Sequence, residues 1–157
     1  MSIADFLALN VDMMIAILLS IVLGFLLGLE REITNKFAGL RTHMLVCIGS
    51  CVFTLLSIYA FPLAANPSNP AGFGDPARIA AQILTGIGFI GGGTVLRHGA
   101  TVFGLTTAAT LFMAASIGMA CGAGLYNLAF IATVVSAVVC VTNSLFVPFF
   151  ASLRYSC

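Results

Sequence analysis

Apolar residues in this chain come in long runs broken by short polar interruptions, rather than as one face of an amphipathic helix or an alternating strand. The first run covers 13–29, has no ionisable residue and stops at Glu30-Arg31-Glu32. Further runs cover about 44–65, 79–96 (bracketed by Arg78 and Arg97), 102–121 and 125–151. A bilayer core of about 30 Å needs roughly 20 apolar residues per helix, and each run reaches that scale. The pattern therefore predicts an all-α, polytopic membrane protein of five transmembrane helices in a single domain, 1–157. A four-span reading would have to merge or discard part of the last two runs. The stretch 66–76 holds three of the five prolines together with Gly, Asn and Asp75, and is the one loop of any length. Gly122-Ala123-Gly124 alone separates the last two runs, a tight turn that glycine permits.

Composition narrows the class. Of 157 residues 61% are hydrophobic and 7% charged, where soluble domains hold ~45–50% and ~25%. Six Lys+Arg and five Asp+Glu are too few to clothe a water-soluble domain, and too few for a disordered chain or a nucleic-acid surface. The amino terminus carries Asp5 and Asp12 and no basic leading region, so the first run reads as a retained helix rather than a cleaved signal. With the amino terminus outside and the carboxy terminus inside, Arg31, Lys36, Arg41, Arg97 and Arg154 all fall inside and only Arg78 outside. The positive-inside rule favours that orientation.

Glycine spacing carries the next signal. Gly86-Ile87-Gly88-Phe89-Ile90-Gly91 spells GxGxxG, but a dinucleotide loop needs a preceding strand and an acid about 20 residues on. Here the motif lies inside an apolar run, and no acid follows Asp75. Packing explains it better. Gly24 and Gly28, Gly88 and Gly92, and Gly118 and Gly122 each stand four residues apart, on one helix face. Lipid supplies no hydrophobic drive between helices, so such ridges promote close backbone approach within a bundle or a homo-oligomer. Gly91, Gly92 and Gly93 are denser than packing requires, and either pack or mark a broken helix lining a cavity.

Glu30, Arg31, Glu32, Lys36, Arg41, Thr42 and His43 form one polar cluster between the first two runs. It reads either as an interfacial anchor or as a buried ion pair, with a Glu30–Arg41 bridge as the expected contact, because a charge near the membrane core costs about 2.5–3.5 kcal/mol. Arg78 and Gln82 share a face of the third helix, with Asp75 as the acid that could pair with Arg78. Thr106, Thr107 and Thr110 form a stripe that bonds its own backbone or lines a polar path. Asn127 and Asn143 are expected to bridge helices. Residues 17–31 can be laid over 83–97, and Gly39-Leu40-Arg41-Thr42 over Gly104-Leu105-Thr106-Thr107, which raises an internal duplication of hairpins. Cys47, Cys51, Cys121, Cys140 and Cys157 match no zinc or redox spacing, and His43 and His98 lack a second ligand at metal spacing. No cofactor is expected, the metal question stays open, and no catalytic residue set is visible.

Three blocks in order resemble the MgtC/SapB family of bacterial membrane proteins. They are Gly28-Leu29-Glu30-Arg31-Glu32 through Ala38-Gly39-Leu40-Arg41-Thr42-His43, then Arg78-Ile79-Ala80-Ala81-Gln82 into the glycine-rich run, then Gly104-Leu105-Thr106-Thr107-Ala108-Ala109-Thr110. The resemblance spans about 24–124. It implies a multi-pass inner-membrane protein of magnesium homeostasis and adaptation to low magnesium, linked in pathogens to virulence. It also implies action on membrane partners such as ATP synthase rather than established ion carriage. By the same matching, Glu30, Arg31, Arg41, Thr42, Arg78 and Gln82 are the polar positions of interest. Members often carry a soluble carboxy-terminal domain and a Trp where this chain has Phe112, so ligand sensing by such a domain is not expected here. The sequence thus supports a non-enzymatic regulator embedded in the lipid bilayer, with a magnesium or other cation transporter as the alternative. The absence of acids after Asp75 weighs toward the regulator.

Overall fold

The computed structural model describes residues 3–60, 76–98 and 101–154. Five helices follow in order: α1 (Ile3–Ile33), α2 (Leu40–Leu55), α3 (Pro76–Gly93), α4 (Leu105–Gly122) and α5 (Tyr126–Arg154). A π-helical turn, Leu56–Ala60, continues α2. Between α3 and α4 lies a small antiparallel hairpin of β1 (Leu96–His98) and β2 (Thr101–Phe103), with Arg97 opposite Val102.

The chain is an all-α polytopic membrane protein. Among the described residues four stretches are long and apolar enough to cross a membrane: Leu9–Ile33, Leu40–Ala60, Leu105–Gly122 and Tyr126–Ser144. The third helix differs from the expectation of a fifth equivalent span. It has 18 residues, including Arg78, Gln82 and five glycines, and these dilute its hydropathy. The element boundaries also moved. The first helix starts ten residues before the apolar run, and Asp12 is tolerated there because it is exposed. The third and fourth runs lose their facing ends to the hairpin. Much of 66–76, Asp75 included, lies outside the described residues, as does Cys157.

Helix ends obey local chemistry. Asn35 (φ 52) closes α1: its N–H bonds the Glu32 carbonyl at 3.1 Å, and the Lys36 N–H bonds the Arg31 carbonyl at 3.1 Å. This is a Schellman cap, in which a left-handed residue turns the chain back onto its last carbonyls. Gly124 (φ 75) repeats it after α4, with Leu125 N–H on Ala120 O at 2.9 Å. Gly104 (φ 89) opens α4 in the left-handed region, and a Cβ there would lie 2.1 Å from the Thr94 carbonyl. The residues aligned by the suspected duplication behave alike only in part. Gly39 and Gly104 both stand immediately before a helix, whereas Arg31 is helical and Arg97 lies on a strand.

The core sits where α1, α2 and α4 meet. Leu23 and Leu27 of α1, Cys47, Cys51 and Leu55 of α2, and Ala114, Ile117 and Cys121 of α4 form its main cluster. The central helix is α4, which touches all four others. Its small residues allow this: a Cβ on Gly118 would lie 2.1 Å from the Cys47 carbonyl, and one on Gly122 2.6 Å from the Cys51 carbonyl. Along a neighbouring face of α2, a Gly24 Cβ would meet Cys47 Cβ at 2.9 Å and a Gly28 Cβ would meet Leu40 Cα at 2.8 Å. Two glycine ridges therefore grip one helix: that of α1 along Leu40–Cys47 and that of α4 at Cys47 and Cys51, both cysteines being fully buried. Dispersion between close backbones, rather than exclusion of water, is the force available here.

The third ridge is different. Gly88, Gly92 and Gly93 have no atom within 4 Å of a built Cβ, and only Gly91 packs, against Ala108 Cβ at 3.4 Å. Nor do Gly91, Gly92 and Gly93 break a helix in mid-span. They end α3, with Thr94 N–H on Gly91 O at 3.1 Å and Val95 N–H on Gly92 O at 3.2 Å. Asn127 and Asn143 are exposed on the outside of α5 instead of bridging helices.

Candidate functional site

The end of the bundle where α1 turns into α2 holds the densest set of buried polar groups. Arg31, in the last turn of α1, is 2% exposed and its Nε donates to Glu30 Oε2. The helix C-terminus favours a cation at that position. The expected Glu30–Arg41 bridge is not formed, because Arg41 opens α2 on its outer side and is exposed. Glu30 takes the adjacent guanidinium instead, and its Oε1 is buried without a hydrogen-bond partner.

Glu32 has a separate task. Its Oε2 accepts the Leu40 N–H at 2.9 Å, supplying the cap that α2 lacks from Gly39. A Cβ at Gly39 would lie 1.8 Å from that oxygen. Gly39→Ala should push the carboxylate off the helix end, at a cost of about 1 kcal/mol, the worth of a typical N-cap. Glu32→Ala should cost the same, and the double substitution little more than either. Thermal unfolding of the three variants checks this, since additive losses would show that Gly39 and Glu32 act separately.

His43 is fully buried and ties α2 to α4. Its Nδ1 lies 2.8 Å from the Gly39 carbonyl, which only accepts, so Nδ1 carries a proton. Nε2 lies 3.1 Å from Thr110 Oγ1, which is also 2.9 Å from the Thr107 carbonyl. The threonine has one proton for two acceptors when the imidazole is neutral, so the hydroxyl serves either Nε2 or the carbonyl. Thr107 and Thr110 are buried in this contact while Thr106 is exposed. No continuous threonine stripe results.

The remaining polar positions lie elsewhere. Arg41, Thr42 and Gln82 line a groove of about 820 Å³ between α2 and α3, walled by Leu45, Val46, Phe53, Ile83, Ile87 and Ile90. Arg78 is exposed on α3 and lies outside it. Gly88, Gly91 and Gly92 line a second groove of about 480 Å³ on the α3/α4 side, with Ala108, Ala109 and Phe112. A single cavity combining the glycine cluster, Gln82 and the threonines is therefore not assembled. Among the described residues no three His, Cys, Asp or Glu side chains gather as a metal-ligand set.

The MgtC family model matches residues 17–147, which takes in α2, α3 and α4 whole, most of α1 and α5, and the whole Arg31–His43 cluster. The chain belongs to the MgtC family. Among relatives of this MgtC-family protein, YhiD of Escherichia coli K12, named as a candidate magnesium transporter, is 40% identical over 82% of this chain and 59% of its own length. Protein MgtC of Brucella abortus (strain 2308) is 45% identical over 71% of this chain and 43% of its own. Protein MgtC of Salmonella typhimurium (strain 14028s) is 44% identical over 76% and 47%. The chain thus spans about half the length of the curated relatives it matches. No solved structure matches it.

Glu32, Gly39, His43 and Thr110 of this MgtC-family site were not among the six polar positions of interest in the sequence. Their partners are three to 67 residues away and follow no fixed motif spacing. For the grip on α2, the glycine ridges gave the signal, and Cys47 and Cys51 stand at the same interval.

Proposed function

We propose that this chain is a non-enzymatic regulator of magnesium homeostasis in a bacterial inner membrane, working through helix contacts with a second copy or another membrane protein. The observation that carries this reading is the uncovered ridge on α3. Gly88 and Gly92 leave open space where the glycines of α1 and α4 are packed to contact. An unfilled small-residue face is what a partner helix needs for close approach. The magnesium-transporter name of the YhiD relative and the family membership supply the physiological direction. The orientation that goes with this reading puts the Arg31–Arg41 end inside.

The second reading, cation transport, draws on Glu30 Oε1, a buried carboxylate oxygen without a hydrogen-bond partner. Magnesium prefers such oxygens, yet the neighbouring Arg31 guanidinium opposes a divalent cation there. One experiment separates the two. Purified chain in proteoliposomes should move no magnesium above empty vesicles, while Gly88→Leu should abolish growth support at low magnesium without lowering thermal stability. Robust flux from the chain alone would overturn the regulator reading. So would growth support that survives leucine at both Gly88 and Gly92.

A further inference from the structure

The groove between α2 and α3 has a feature that neither reading uses. Its walls are apolar along their length, while its end nearest the α1–α2 turn carries Arg41 and Thr42. Among the described residues no carboxylate pairs with Arg41, which is exposed, and the two glutamates nearby in the chain are committed to Arg31 and to the α2 cap. Two glycines face the open space, Gly49 of α2 and Gly86 of α3, and neither would bring a Cβ within 4 Å of any other atom.

The geometry points to a binding site for an anionic phospholipid, with one acyl chain lying in the α2/α3 groove and the headgroup phosphate held by Arg41 beside Thr42. Charge and shape both favour that occupant. The groove runs from Arg41 to Leu56, about 22 Å at ~1.5 Å per residue. An apolar slot of that length accommodates a polymethylene chain, and the unpaired Arg41 at its end complements an acidic headgroup. Basic residues at the membrane surface attract acidic headgroups, and an apolar slot leading from such a residue adds retention of the tail. The second groove, beside Gly88, has no charged lining residue and offers no such headgroup contact.

The test uses the full chain in detergent and lipids of identical acyl composition. Phosphatidylglycerol and phosphatidylcholine are titrated separately, and retained lipid is counted by native mass spectrometry. Wild type should retain phosphatidylglycerol over phosphatidylcholine by roughly fivefold, the scale of one basic residue acting on an acidic lipid. Arg41→Gln should erase that preference, and leucine at Gly49 and Gly86 together should remove retention of both lipids. Gly88→Leu, on the opposite groove, should change neither. Helical signal and monodispersity identify variants that fold, and Gly86→Leu alone serves if the double variant does not. Equal retention of the two lipids by wild type would overturn the site, as would a preference that survives Arg41→Gln. A dimer mass that disappears on filling the groove, with no lipid preference, would assign the groove to a second copy and equally overturn it. Lipid retention is read without reference to magnesium, so this outcome stands apart from the proposed function.

Discussion

Gly118→Val should leave little folded protein, with any recovered material destabilised by at least about 3 kcal/mol, the upper part of the usual overpacking range. The smallest possible side chain at this position already places its Cβ 2.1 Å from the Cys47 carbonyl and 3.0 Å from Ser50 Cβ. The obstacle is backbone, so no rotamer change relieves it, and α2 must move away from α4. That movement opens the main core at Cys47, Cys51 and Cys121 and strains the His43–Thr110 contact one face along. Gly86→Ala is the matched comparison. Its Cβ meets nothing within 4 Å, so the helix should gain about 0.5–1 kcal/mol through reduced chain entropy. Thermal unfolding in detergent, followed by helical signal, measures both. Similar melting temperatures for the two variants would refute the grip of α4 on α2.

The contrast between those glycines marks how far the sequence could be read. Residues four apart on a helix share a face whatever the fold, so Gly24/Gly28, Gly88/Gly92 and Gly118/Gly122 were all legible as ridges. Which ridges are filled depends on helix order in space, and three identical spacings cannot encode it. The same limit applies to the charges. Hydropathy placed Glu30, Arg31 and Arg41 at one end of the bundle, because charges end apolar runs. It did not reveal that α1 extends through Ile33, which turns Arg31 inward, nor that α2 begins at Leu40, which turns Arg41 outward. One residue of helical rotation, about 100°, decides between those fates. The β1–β2 hairpin was masked by apolar residues that suit a strand as well as a span.

Arg31→Met should cost about 3–5 kcal/mol, because it leaves the largely buried Glu30 carboxylate with neither oxygen paired. Glu30→Gln in the wild-type background should cost less, since a neutral amide still accepts from the guanidinium and carries no charge to desolvate. Combining Arg31→Met with Glu30→Gln removes both charges from the same space, and stability should return to within about 1 kcal/mol of wild type. Thermal unfolding of the three variants closes this double-mutant cycle. The folded double variant then separates architecture from function. If the pair only holds the bundle end together, low-magnesium growth returns along with stability. If the guanidinium and carboxylate present charge to a partner or an ion, stability returns and growth does not. The second outcome is expected, because a charge pair that only stabilised could be replaced at little cost by apolar side chains. Arg31 lies 2% exposed beside a carboxylate oxygen with no partner, an arrangement that packing alone does not require.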